Sequence, residues 1–119
     1  MRRRTWKARI KAACVEAGTY RPYFDYAIDT LAGIMEERDK AQDSYQKTGS
    51  QPVVTFTNKQ GAKNLVKNPM LVMVSELNAQ ALTYWRDLGL TPAGLKKIND
   101  DMLKEKKSGM GELLKGLEL

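Results

Sequence analysis

Four stretches of the 119-residue chain repeat their apolar residues at helical spacing. The clearest is 70–88. There Met70, Val74, Leu77, Ala81, Tyr84 and Leu88 step by four and three, and Leu71, Leu82 and Trp85 widen the face. Residues 22–47 show the same steps through Ala27, Leu31, Ile34, Arg38, Ala41 and Tyr45, with Phe24, Ile28 and Met35 broadening the stripe and Arg38 interrupting it. The outer face carries Glu36, Glu37, Asp39, Lys40 and Asp43 and reads as a solvated surface. Residues 5–17 predict a shorter helix with Trp6, Ile10, Ala13, Cys14 and Ala17 on one face. Thr5 is its candidate cap and Gly18 its stop, while Pro22 suits a first helical turn. Gly89 ends the 70–88 helix. Thr91 as cap and Pro92 at the first helical position then open a last helix to about Lys106, striped by Leu95, Ile98, Met102 and Leu103.

The connector 48–69 is too long for an ordinary helix hairpin, so it either carries β structure or crosses to a neighbouring subunit. Within it PVVTFT (52–57) is β-branched, and reads as a short strand or an extended linker. NKQGAKNLVKNP (58–69) is turn-rich, and Asn68 before Pro69 marks a boundary. The expected fold is mainly α: a helical hairpin of two long helices plus short N- and C-terminal helices, with a short extended or β connector. Three regions follow. Residues 1–18 are a basic arm with a short helix, 19–107 a helical oligomerisation core, and 108–119 a flexible tail with room for a short helix at 110–119. Each long helix has a stripe wider than one small partner helix covers, which predicts that further surface is buried by oligomerising.

Charge changes the picture. The net charge is +6, and its excess is concentrated. Residues 1–11 hold Arg2, Arg3, Arg4, Lys7, Arg9 and Lys11 and no acid, and 51–69 hold Lys59, Lys63 and Lys67 and no acid. These nine are the candidate DNA-binding residues, since phosphates attract such clusters whatever the base sequence. Three arginines at a helix N-terminus oppose the macrodipole. Local helix stability therefore does not account for them, and an external anion does.

Other chemistry is thin. There is no histidine, which removes imidazole acid–base catalysis and nearly every zinc site. Glycine-rich phosphate loops are missing as well. The single cysteine, Cys14, lies on the apolar face as a small core residue, which fits a reducing compartment. No apolar run is long enough to span a membrane. Enzymatic function, a metal and a cofactor are not expected.

NLVKNPMLVMVSELNAQALTYWRDLGLTPAGLKKI (64–98) resembles the P27 family of phage terminase small subunits. The shared pattern is Asn68-Pro69 before a long helix, then the turn Gly89-Leu90-Thr91-Pro92 opening another. Gly61 in the connector also fits the family, whereas Gly94, Leu95 and Lys96 stand where the family usually has an arginine after the proline. The resemblance implies a non-enzymatic, ring-forming subunit in the host bacterial cytoplasm. Such a subunit binds double-stranded viral DNA and brings it to the large terminase subunit for genome packaging. An alternative is a small transcription regulator, with 5–32 as a helix-turn-helix, GTYRP as its turn and 22–32 as its reading helix; the acids Asp25 and Asp29 on that helix count against it. A protein-only adaptor is the third reading.

Overall fold

The computed structural model describes residues 1–117, with side chains through Lys104. Helix α1 spans Arg3–Ala17, and after a single 3-10 turn at Pro22–Phe24 helix α2 spans Asp25–Lys47. Strands β1 (Val53–Thr57) and β2 (Lys63–Lys67) pair as an antiparallel hairpin, followed by α3 (Pro69–Asp87) and α4 (Pro92–Leu117). The chain is thus mainly helical, with one short β element in the connector.

The α2 helix is the centre of the structure because it has two apolar flanks. Its buried residues Ile28, Leu31, Ala32 and Met35 join Ile10 and Cys14 of α1 and Ala81 of α3 in one core, together with Leu88. The broad stripe of α2 therefore packs on two partners within the chain, α1 and α3. On α3 the surplus remains: Val72, Met73 and Leu82 are exposed. Cys14 is fully buried, as its position on the apolar face predicts, and desolvation raises its thiol pKa.

The sequence expects α1 to start after Thr5, but the helix begins at Arg3. Its cap comes from another element, because the Arg3 backbone N–H donates to Glu36 Oε2 on α2 at 2.7 Å. Gly18 stops the helix in the left-handed conformation, at φ 74°. Thr19, buried next to it, donates from Oγ1 to the Leu88 carbonyl at 2.8 Å and so ties the end of α1 to the end of α3.

The connector is a β-hairpin. Its ends are held by Asn68, a buried side chain that meets three elements. Its Oδ1 accepts from the Met70 N–H and caps α3, with Pro69 as first helical residue. Its Nδ2 donates to the Gln51 carbonyl at 2.9 Å and to Thr48 Oγ1 at 3.3 Å, and its backbone N–H donates to the Pro52 carbonyl. At the tip, Asn58 Oδ1 accepts from the Gln60 and Ala62 N–H groups, and Gly61 takes φ 82°.

The Gly89–Gly94 turn is built for close approach. Gly89 is left-handed at φ 72°, and a Cβ there would lie 2.8 Å from both Ile98 Cδ1 and Thr19 Cγ2. Thr91 Oγ1 accepts from the Gly94 N–H, as a cap should. Gly94 leaves no room for a Cβ against the Arg86 carbonyl, so α4 crosses the end of α3 at backbone distance. The α4 backbone then stays helical to Leu117, past the expected end near Lys106. Glycine in a helix costs about 1 kcal/mol but does not forbid it. The tail assigned to 108–119 lies, for all its side chains and for residues 118–119 entirely, outside the described residues.

Two substitutions test these joints by thermal unfolding. Asn68→Ala loses a cap and two donated hydrogen bonds and should destabilise the fold by about 3 kcal/mol. Gly89→Ala forces a side chain into a left-handed, crowded position and should cost about 2 kcal/mol.

Candidate nucleic-acid interface

The basic arm folds back along α2 and meets its carboxylates. Arg3 makes a two-pronged contact with Asp29, from Nη2 to Oδ2 at 2.9 Å and from Nε to Oδ1 at 3.3 Å. Its guanidinium lies over Gly33, where a Cβ would sit 3.1 Å from Cζ. Lys7 reaches the same Asp29 at 3.9 Å. Nearly three turns further along α2, the Trp6 indole N–H donates to Asp39 Oδ2 at 2.7 Å. Asp39 also takes the Arg38 guanidinium at 3.1 Å and the Met1 amino group at 3.2 Å. Arg38, the charged member of the apolar stripe, stands 6.0 Å from the Trp6 ring centroid, a cation–π distance.

These contacts correct the electrostatic argument from the sequence. The anion that offsets the arginines at the start of α1 is internal: Glu36 and Asp29 of α2 supply it. The acidic run is accordingly not one solvated face. Glu36 and Asp39 hold α1, while Glu37 is exposed and, among the described residues, pairs with Lys40 alone. The signal was present in the sequence as opposite charge on 2–11 and 29–39, but nothing in the linear pattern says that those segments touch.

Burial raises the Asp39 pKa, but the Trp6 hydrogen bond, the Met1 ammonium and the Arg38 charge outweigh it, and the net shift is downward. Glu36 is also held below its ordinary value of 4.5, chiefly by the Arg3 backbone N–H, with Lys40 and Arg3 charges assisting against a desolvation penalty.

The nine candidate residues fall into distinct settings. Arg3 and Lys7 are paired to Asp29. Lys11 stacks its ammonium 5.1 Å from the Tyr20 ring centroid and keeps an exposed side chain. Arg2, Arg4 and Arg9 are exposed and have no acid partner among the described residues. Lys63 and Lys67 lie on β2 and Lys59 in the hairpin tip, all three exposed. The arm covers α2 between Asp29 and Asp39, and the hairpin leaves beyond the end of that helix at Lys47. The two basic groups thus occupy separate parts of the chain. Two exposed tyrosines, Tyr23 and Tyr26, flank the start of α2 near the arm, and sequence reasoning did not single them out.

The helix-turn-helix alternative does not fit this arrangement. Residues 22–24 form a 3-10 turn and 25–32 are the opening turns of a 23-residue helix, and Asp29 among them is engaged by Arg3 and Lys7 of the preceding helix. No group of acids or Cys able to hold a metal ion occurs among the described residues, and no helix there is long and apolar enough to cross a membrane.

A family model described as "Phage terminase, small subunit" matches residues 3–102. No curated protein and no solved structure matches the chain.

The Glu36 contact gives a pH prediction. A carboxyl whose pKa is lowered by folding stabilises the fold fully above its ordinary value, and that stabilisation is lost as pH falls through the lowered one. Glu36→Gln removes the titration, so its stability deficit against wild type should be largest near neutral pH and should shrink below pH 4.5 in parallel thermal melts.

Proposed function

The chain belongs to the phage terminase small-subunit family, and from that premise we propose that it acts as a multi-copy ring whose exposed N-terminal bases hold duplex DNA for the large subunit. Membership makes this a non-catalytic protein with a role in DNA packaging, whose partners are phage DNA and the large terminase. The ring and the contacting residues are our reading.

The observation that carries the reading is the surplus of cations over partners in the arm. Asp29 takes up Arg3 and Lys7, yet Arg2, Arg4 and Arg9 project without a carboxylate and Lys11 stays exposed. Docking against α2 fixes where these charges stand, which lowers the ordering cost of meeting a phosphate backbone. Lys59, Lys63 and Lys67 form a second group on the hairpin. In a closed assembly every such group recurs once per copy, and effective concentration turns weak phosphate contacts into firm retention. The uncharged exposed residues of α3, Val72, Met73 and Leu82, offer surface for subunit contact. A host-cytoplasmic setting follows from a packaging role.

The test separates retention from fold. Replacing Arg2, Arg4 and Arg9 by alanine should leave thermal stability unchanged and weaken duplex binding. The slope of log affinity against log salt should fall by about 0.9 per lost phosphate contact. An unchanged slope places the binding surface elsewhere. Arg3→Ala should differ in kind, since it frees Asp29 beside the arm while the backbone N–H at position 3 still caps α1 on Glu36: stability should fall by no more than about 1 kcal/mol. Native mass spectrometry of the wild-type chain should show a closed multimer.

A further inference from the structure

The β-hairpin has two free edges, and they are not alike. Register pairs Val53 with Lys67, Val54 with Val66, Thr55 with Leu65, Phe56 with Asn64 and Thr57 with Lys63. Hydrogen bonds from the Asn68 N–H to the Pro52 carbonyl and from the Asn58 N–H to the Ala62 carbonyl fix the phase of the ladder. In an antiparallel pair bonded and non-bonded positions alternate. The bonded pairs are therefore 54–66 and 56–64. Val53, Thr55 and Thr57 on β1, and Lys63, Leu65 and Lys67 on β2, turn their backbone N–H and C=O groups outward.

The outer edge of β1 bears no charge and no proline, so none of the usual devices protects it from pairing. The outer edge of β2 carries a lysine at each end. Two β2 edges brought together set lysines against lysines, which is unfavourable. A β1 edge against a β2 edge repeats the neutral–lysine pairs that the hairpin already makes internally. A two-stranded hairpin is also marginal alone. Here Val53, Phe56 and Leu65 remain 45%, 56% and 77% exposed. At its base a groove of about 460 Å³ continues from β1 onto α3, its apolar lining Pro52, Val53, Leu71 and Val72 shared with Lys67, Ser75 and Glu76.

We propose that the outer edge of β1 in one copy pairs with the outer edge of β2 in a second copy, joining the hairpins into a continuous antiparallel sheet. The pairing is head-to-tail, so each copy uses both edges and the hairpin tips all point the same way. Thr55 and Leu65 are the central facing residues across the junction. The inference rests on the multi-copy reading above and adds the surface that carries the contact.

Two chains, one with Thr55→Cys and one with Leu65→Cys, test it when co-expressed and mildly oxidised. Cys14 is fully buried and stays silent. Facing positions of this kind suit a disulfide. The mixture should give a disulfide-linked pair severalfold more abundant than either variant alone. A linked pair from Thr55→Cys alone, at equal yield, overturns the proposal in favour of β1 against β1. No linked pair from the mixture, with a wild-type chain that still assembles, overturns it and leaves the assembly standing. A monomeric wild-type chain overturns both. Thr55→Pro gives an independent measurement, since it deletes only an outward N–H and is tolerated at an edge. Circular dichroism should match wild type while the assembly mass falls; an unchanged mass overturns the proposal.

Discussion

Everything in the described chain turns on the Asn68 side chain. A buried amide must satisfy both its donor and its acceptor, and here the partners lie on different elements. The acceptor starts α3, and the donors take the Gln51 carbonyl and the Thr48 hydroxyl at the end of α2. Because one planar group makes all these bonds, the exit of α2, the base of the hairpin and the entry of α3 cannot move independently. The antiparallel arrangement of the two long helices, and the direction in which the hairpin leaves them, follow from that fixed point. The proposed subunit contact and the hairpin lysines are aimed by it.

A second constraint governs the arm. Six cations on eleven residues repel one another and repel a helix N-terminus. The α2 carboxylates relieve this at Arg3, Lys7 and the first turn of α1, through Asp29 and Glu36. Most of these pairs are exposed, so each contributes little stability alone, and the buried Ile10 and Cys14 supply the larger share of the docking. What the pairs do supply is orientation. With Arg3 laid over Gly33, Arg4 and Arg9 are carried on a helix and Arg2 sits at its cap.

The helices were legible because their apolar residues recur at 3.6-residue spacing and their ends carry strong punctuation. Gly18, Gly89 and Thr91 do what their residue types predict. The start of α1 was not legible, since its cap is a glutamate 33 residues away and local rules see only Thr5. The connector was ambiguous for a physical reason: a free hairpin and an extended linker have the same β-branched composition, and only the Asn58 turn and the Asn68 junction decide between them. The width of the α2 stripe was legible, but its use was not, because a stripe does not say whether its partner is α1 or another chain. As for the candidate site, the bases could be counted from the sequence. Which of them are already neutralised depends on folding α1 against α2, and so does the division between Arg3 and Lys7 on one side and Arg2, Arg4 and Arg9 on the other. The Asn-Pro and Gly-Leu-Thr-Pro motifs, which carry the family resemblance, prove to be joints of the fold.

The hairpin also has a kinetic consequence. Helices α1 and α2 are neighbours in sequence, as are β1 and β2, and α3 and α4; the docking of α2 on α3, and the Thr19 bond from the end of α1 to Leu88, span real gaps. Left as loose chain, residues 48–68 would make that docking an entropic search over a long loop. Instead the segment zips from the short Asn58–Gly61 turn, a microsecond event, and carries the two helix ends toward each other. The docking of α2 on α3 is thereby made nearly local, since the closed hairpin shortens the loop that has to be searched. In the proposed assembly, a hairpin that closes early holds α2 and α3 of each copy together before the copies meet.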